Sequence, residues 1–136
     1  MVALVLDASV VLAVALQESN RDRAAQMLDT TAEKGAAVPC LWHVEVGNAL
    51  LTAERRKALS ADERAAALDA LAQLTLIVDT ETATRAWREA MSLANRHRLT
   101  LYDAMYLELS LRLELPLASF DAALRKAANA ANVSLF

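Results

Sequence analysis

The 136 residues include one cysteine, two glycines, two prolines and two histidines, and these scarcities exclude a good deal. Cys40, standing alone, permits neither an internal disulfide nor a cysteine-based zinc site. Two glycines leave no room for a glycine-rich phosphate-binding loop. No apolar run is long enough to span a bilayer. The early segment "VVLAVAL" has no Lys or Arg before it and follows Asp7 closely, so it reads as buried strand and helix rather than as a signal peptide. The expectation is a cytoplasmic protein with no membrane contact. An excess of positive charge is also missing. The net charge of −3 argues against coating nucleic acid by bulk charge, while leaving room for local basic patches. There is no internal repeat, low-complexity tract or linker.

What is present is aliphatic. A 56% hydrophobic content over this length describes one domain, 1–136, able to bury a core without staples. Short Val/Leu-rich runs at 2–7, 36–39, 75–79, 116–120 and 133–136 read as strands. Between them, 8–18, 20–35, 40–58, 60–74, 80–98 and 121–132 read as helices. Gly35 stops one of these, and Ser60 with Glu63 forms a capping box at the start of another. Strands separated by helices imply an α/β fold: a mostly parallel sheet of about five short strands, flanked by helices on both faces. Ligands of such sheets gather at the carboxyl ends of the strands. Asp7, Asp79 and Asp121 each follow a predicted strand.

The segment "LYDAMYLELSLRLELPLASFDAAL" places leucine at every second position from Leu107 to Leu117, which is the period of a strand. Its residue types contradict the period. Leu, Met, Glu and Arg favour helices, and 104–115 contains no Val, Ile or Thr. Glu108 and Arg112 are also spaced and ordered for a helical ion pair. The prediction is a helix buried on most sides, with Asp103 in its first turn and Pro116 beyond its end.

Taken singly, each acid has an ordinary explanation. Asp7 and Asp121 are placed to cap the helices that follow them, and Asp103 to favour the positive end of its own. Glu45 is harder to dismiss. It lies inside a helix among Leu41, Val44 and Val46, with Asn48 one turn on, and a half-buried carboxylate there needs a partner or a cation. Glu54 and Glu89 have arginines nearby and read as solvated surface.

In order and spacing, "VLDAS", "HVEVGNALL", "LTLYDAMYLELS" and "LPLASFDAALRKAA" resemble the motifs of the PIN domain, most closely those of VapC-type ribonuclease toxins. The resemblance spans essentially the whole chain. It implies that Asp7, Glu45, Asp103 and Asp121 are at once the metal ligands and the catalytic residues, with Ser9, Asn48 and Ser119 in support. Arg98 and Asn132 stand where the family often has glycine, and Ser119 where threonine is common.

The chemistry agrees with the resemblance. Four converging carboxylates repel one another unless a cation neutralises them, and oxygen-only ligands suit Mg²⁺ or Mn²⁺. The implied activity is a metal-dependent endoribonuclease, the toxin of a VapBC-type pair. Its implied partners are a VapB-type antitoxin, RNA and a second copy of the chain. Arg96 and Arg98, and more remotely Arg55, Arg56 and Lys57, are candidates for RNA phosphate contacts. His43 is expected to point away from Glu45, and His97, Trp42 and Trp87 read as surface, core and core. Two rivals differ in class. A receiver-like Mg²⁺-binding signalling domain would use Asp79 as phosphoacceptor, but it wants two acids after the first strand and a lysine after the last. A catalytically silent PIN-like binding module would keep the fold without the acids' chemistry.

Overall fold

Leu4, Val5 and Leu6 are all fully buried, although successive side chains of a strand point to opposite faces. The sheet is therefore covered on both sides at its centre. In this computed structural model, which describes all 136 residues, they form strand β1 (Leu4–Leu6). It is followed by α1 (Ala8–Ala15), α2 (Arg21–Lys34), β2 (Ala36–Val38), α3 (Trp42–Arg55), α4 (Ala61–Leu71) and β3 (Leu76–Val78). Next come α5 (Thr82–Arg85), a π turn (Ala86–Ala90), α6 (Met91–His97), α7 (Leu101–Leu113), β4 (Leu117–Ala118) and α8 (Ala122–Ala130). The four strands are parallel in the order β3-β2-β1-β4.

The sheet has four strands, not about five. The segment expected as a last strand makes one bridge, Leu135 to Leu117, because β4 offers it only two residues. Leu117 donates to the Ser134 carbonyl, and Phe136 donates back to Leu117. At the other edge, β3 leaves Ile77 and Val78 exposed.

Local sequence explains most boundaries. Gly35 ends α2 with φ 82°, and a Cβ there would lie 3.1 Å from Val2 and 3.3 Å from the Thr75 carbonyl. Ser60 and Glu63 close the expected capping box on α4. Arg98 and Asn132 take left-handed backbone, φ 54° and 61°, which accounts for the suitability of glycine at both places.

The alternating leucines form α7, and Glu108 pairs with Arg112 as expected. Residues two apart on a helix sit about 200° apart, so alternate leucines cannot share a face. Tyr106, Leu107 and Leu109 are buried, whereas Leu111 and Leu113 emerge toward solvent. The helix expected over 80–98 contains the π turn, and there Trp87 corrects the sequence reading. It is 85% exposed, while Ala86 and Ala90 take the inward positions. Trp42 is in the core as expected.

Candidate active site

The carboxyl ends of β1 and β4 and the first turns of α3 and α7 bring four acids into one electrostatic neighbourhood. Asp7 follows β1 at the start of α1, but its side chain makes no capping bond. Instead its Oδ2 accepts from two hydroxyls, Ser9 Oγ at 2.7 Å and Ser119 Oγ at 2.7 Å. The same two hydroxyl oxygens accept backbone N–H groups, Ser9 from Phe120 and Ser119 from Asp121. Asp7 is thus tied to the loop after β4, and that loop is braced again by Arg125 donating to the Ser119 carbonyl at 2.9 Å.

Of Asp7 and Asp121, the two acids placed to cap helices, one does so, and Asp103 lies in the first turn of its helix as expected. Asp121 Oδ1 accepts from the Leu124 N–H at 2.8 Å and caps α8. The start of α7 is capped by Thr100, whose Oγ1 accepts from the Asp103 N–H at 3.1 Å. The Thr100 hydroxyl also lowers the Asp103 carboxyl somewhat, without offsetting its burial. Glu45, in the first turn of α3, accepts a hydrogen bond from the Tyr106 hydroxyl of α7. Asn48 is exposed one turn further along α3.

The electrostatics show that these groups sense one another. Burial raises the Asp103 carboxyl from 3.8 to about 6, and the charges of Asp121 and Asp7 add to the rise. Burial also raises Glu45, partly offset by the Tyr106 hydroxyl and reinforced by Asp7 and Asp103. Asp7 is raised by burial despite its two serine donors, with Asp121 adding repulsion. All donors are oxygens, which suits a hard divalent cation. No three of the histidine, cysteine, aspartate and glutamate side chains stand close enough to chelate one ion together. The donor set therefore fits a cation that keeps several waters, held directly by one or two carboxylates and through water by the others.

Other candidates fall elsewhere. Arg96 and Arg98 are exposed and line a cavity of about 390 Å³ together with His97 and Lys126. None of these four makes a salt bridge, although the chain forms eight such contacts elsewhere. Lys126 was missed in the sequence because only the packing of α8 beside the end of α6 brings it there. Arg55, Arg56 and Lys57 lie at the far end of α3, about 15 Å along its axis from Glu45. His43 is exposed, its ring edge-on to Trp42. Asp79 is held away from solvent chemistry: Arg112 donates to both its oxygens, at 3.0 and 2.9 Å, and Thr82 donates at 2.9 Å. Burial pushes this carboxyl up, but the guanidinium and hydroxyl outweigh it and hold it below its ordinary value. A cavity of about 490 Å³ lies before β4 near Glu114 and Asn132, at the opposite end of that strand from the acids.

The PIN domain family model matches residues 4–130. The chain belongs to the PIN domain family. PIN domains are typically nucleases that use divalent metal ions. Among solved structures, the crystal structure of PAE2754 from Pyrobaculum aerophilum superimposes with a TM-score of 0.65. The two are 23% identical, and the match covers 93% of this chain and 84% of that one. At that identity the likeness shows the fold. No curated protein matches. Membership in this family sets aside the receiver-like reading, in keeping with the engagement of Asp79 by Arg112.

Proposed function

We propose that this PIN domain is a Mg²⁺-dependent endoribonuclease, the cytoplasmic toxin of a VapBC-type toxin–antitoxin pair. One observation carries the reading. Asp7, Glu45 and Asp103 all have carboxyls raised first by burial and then by neighbouring acids: Asp121 for Asp7, Asp7 and Asp103 for Glu45, and Asp121 and Asp7 for Asp103. Such an arrangement is unfavourable for the protein alone and becomes favourable once a cation is shared.

Mn²⁺ would substitute for Mg²⁺ at these oxygens. When bound, the ion supplies an acidified water and charge stabilisation at the phosphodiester. The chain's own residues prepare for this. Ser9 and Ser119 orient Asp7, Tyr106 orients Glu45, and the Leu124 N–H orients Asp121. Arg96, Arg98 and Lys126 offer unpaired cations to the backbone of an RNA strand.

A homodimer and a cognate VapB-type antitoxin complete the proposal. The exposed Trp87, with Met91 one turn on and 45% exposed, supports a contact surface outside the acidic site. No helix is long and apolar enough to cross a membrane. A short upstream reading frame for a DNA-binding protein would support the toxin assignment.

The test is RNA cleavage by purified protein. Wild type is expected to cut single-stranded RNA with Mg²⁺ or Mn²⁺ and to stop in excess chelator. Asp7→Asn and Asp103→Asn should abolish cutting with the far-ultraviolet circular dichroism unchanged. Undiminished cleavage by both variants, or in chelator, would contradict the reading and leave a silent binding module.

A further inference from the structure

Beside the acids lies a second feature that the chemistry above does not use. Leu41, Val44 and Asn48 of the α3 region and Tyr102 of α7 line a pocket of about 350 Å³ that also contains Glu45. Val44 is 74% exposed and Tyr102 64% exposed, and both line the same pocket as Glu45. The geometry follows from helix spacing. Tyr102 and Tyr106 are one turn apart on α7, so they share a face directed at α3. Tyr106 is buried and holds Glu45, while Tyr102 stands above it at the opening. Val44 and Asn48 are likewise one turn apart on α3. The Asn48 amide makes no hydrogen bond within the protein, leaving two donors and an acceptor for a ligand.

The chemistry of the walls selects the occupant. Glu45 repels a phosphate, so an anionic group is disfavoured here, in contrast to the cationic cavity at Arg96 and Lys126. A flat, neutral, heteroaromatic group suits a tyrosine ring on one side, aliphatic carbons on the other and an amide at the rim. We infer that this pocket seats the base of a nucleotide flanking the cleaved phosphodiester of single-stranded RNA, with Tyr102 as its stacking face and Asn48 reading its edge. The inference rests on the nuclease reading above and adds to it a site that sets sequence preference. Unstacked bases of single strands are held by aromatic side chains and by hydrogen bonds to their edges. Glu45 is part of the pocket wall, so a base seated there lies next to the acids.

The test reads binding, not cleavage. Fluorescence anisotropy with a short labelled single-stranded RNA, in excess chelator, compares wild type, Tyr102→Ala and Tyr102→Phe. The same RNA is also used in copies that each lack one base. Tyr102→Ala should weaken binding about 5- to 150-fold. Tyr102→Phe should stay within about twofold of wild type, because stacking uses the ring and not the hydroxyl. On the copy missing the seated base, wild type and Tyr102→Ala should bind alike. The proposal is overturned if wild type does not bind the RNA or if Tyr102→Ala binds as wild type does. It is equally overturned if Phe loses as much as Ala, or if the alanine penalty persists on every copy. If Tyr102→Ala changes only the sedimentation of the protein alone, the pocket is covered by a second copy and the proposal falls. Absence of Mg²⁺-dependent cleavage would count against the nuclease reading without altering these binding outcomes.

Discussion

The Tyr106 hydroxyl of α7 donates to the Glu45 carboxylate of α3, joining two residues 61 positions apart in the chain. The tyrosine is fully buried, and its own ionisation is pushed further up by burial and by the carboxylate it faces. It therefore stays a donor at any ordinary pH. Tyr106→Phe would leave Glu45 half-buried without that donor. The expected result is a loss of about 1–3 kcal/mol in stability. Cleavage or metal affinity should fall roughly 10- to 100-fold, as for groups that orient a metal ligand. Chemical denaturation and a cleavage assay on the one variant check both, and unchanged cleavage would mean that the tyrosine only packs.

A different role belongs to the charge network around Arg112. Arg112 bonds Asp79 and Glu108 and reaches Glu81, and both Asp79 and Glu108 are largely shielded from solvent. Arg112→Ala would strand two acids, which costs about 3–5 kcal/mol for a buried pair. The lower end is expected, because Arg85 remains 3.6 Å from Glu108. Asp79→Asn should leave Mg²⁺-dependent cleavage nearly intact while lowering the melting temperature. Loss of cleavage in a folded Asp79→Asn protein would place Asp79 in the active site, against its geometry.

The contrast between these two networks shows what was legible in the chain. Local pattern alone gave Asp7, Asp103 and Asp121 ordinary helix-end roles, and it was the resemblance to PIN-domain motifs that joined them with Glu45 into one set. Ser60 with Glu63, and Glu108 with Arg112, were readable directly, because the partners lie within one helical turn. The partners that decide behaviour at the site lie far off in sequence. Tyr106 on Glu45, Ser119 on Asp7 and Asp79 on Arg112 are set by how strands pair and helices pack, and no periodicity encodes them. Trp87 was misplaced for a related reason. The buried stripe of this segment is Thr82, Ala86, Ala90 and Ala94, a tertiary choice that leaves Trp87 and Met91 on the outer face. The last strand shrank to one bridge because its expected partner, β4, is only two residues long.

The raised carboxyls make stability depend on pH with a definite sign. Between 3.8 and about 6 the folded protein binds more protons at Asp103 than the unfolded chain does. Stability therefore falls as pH rises through this window, and Glu45 and Asp7 act in the same direction. Asp79, held low, acts oppositely: its contribution is lost as the pH falls below its ordinary range. In chelator, the melting temperature of the wild type should rise as the pH is lowered from neutral toward about 5. Asp103→Asn should melt higher than wild type at neutral pH and show a smaller rise. A melting temperature that falls on acidification over this range, equally in both proteins, would show that the carboxyls are not strained.

The most direct measurement of the central claim, that these acids share one cation, is thermal melting of wild type, Asp103→Ala and Glu45→Gln, in chelator and in millimolar Mg²⁺. A cation bound only by the folded state raises the melting temperature. The account predicts a clear Mg²⁺ shift for wild type and a much smaller one for both variants. It also predicts that each variant is as stable as wild type, or more so, in chelator, since one repelling charge is gone. Glu45 sits in the first turn of α3 and bonds Tyr106, and glutamine there keeps an acceptor for that hydroxyl while removing the charge. Equal Mg²⁺ shifts in all three proteins would contradict the shared cation and, with it, the metal-dependent nuclease.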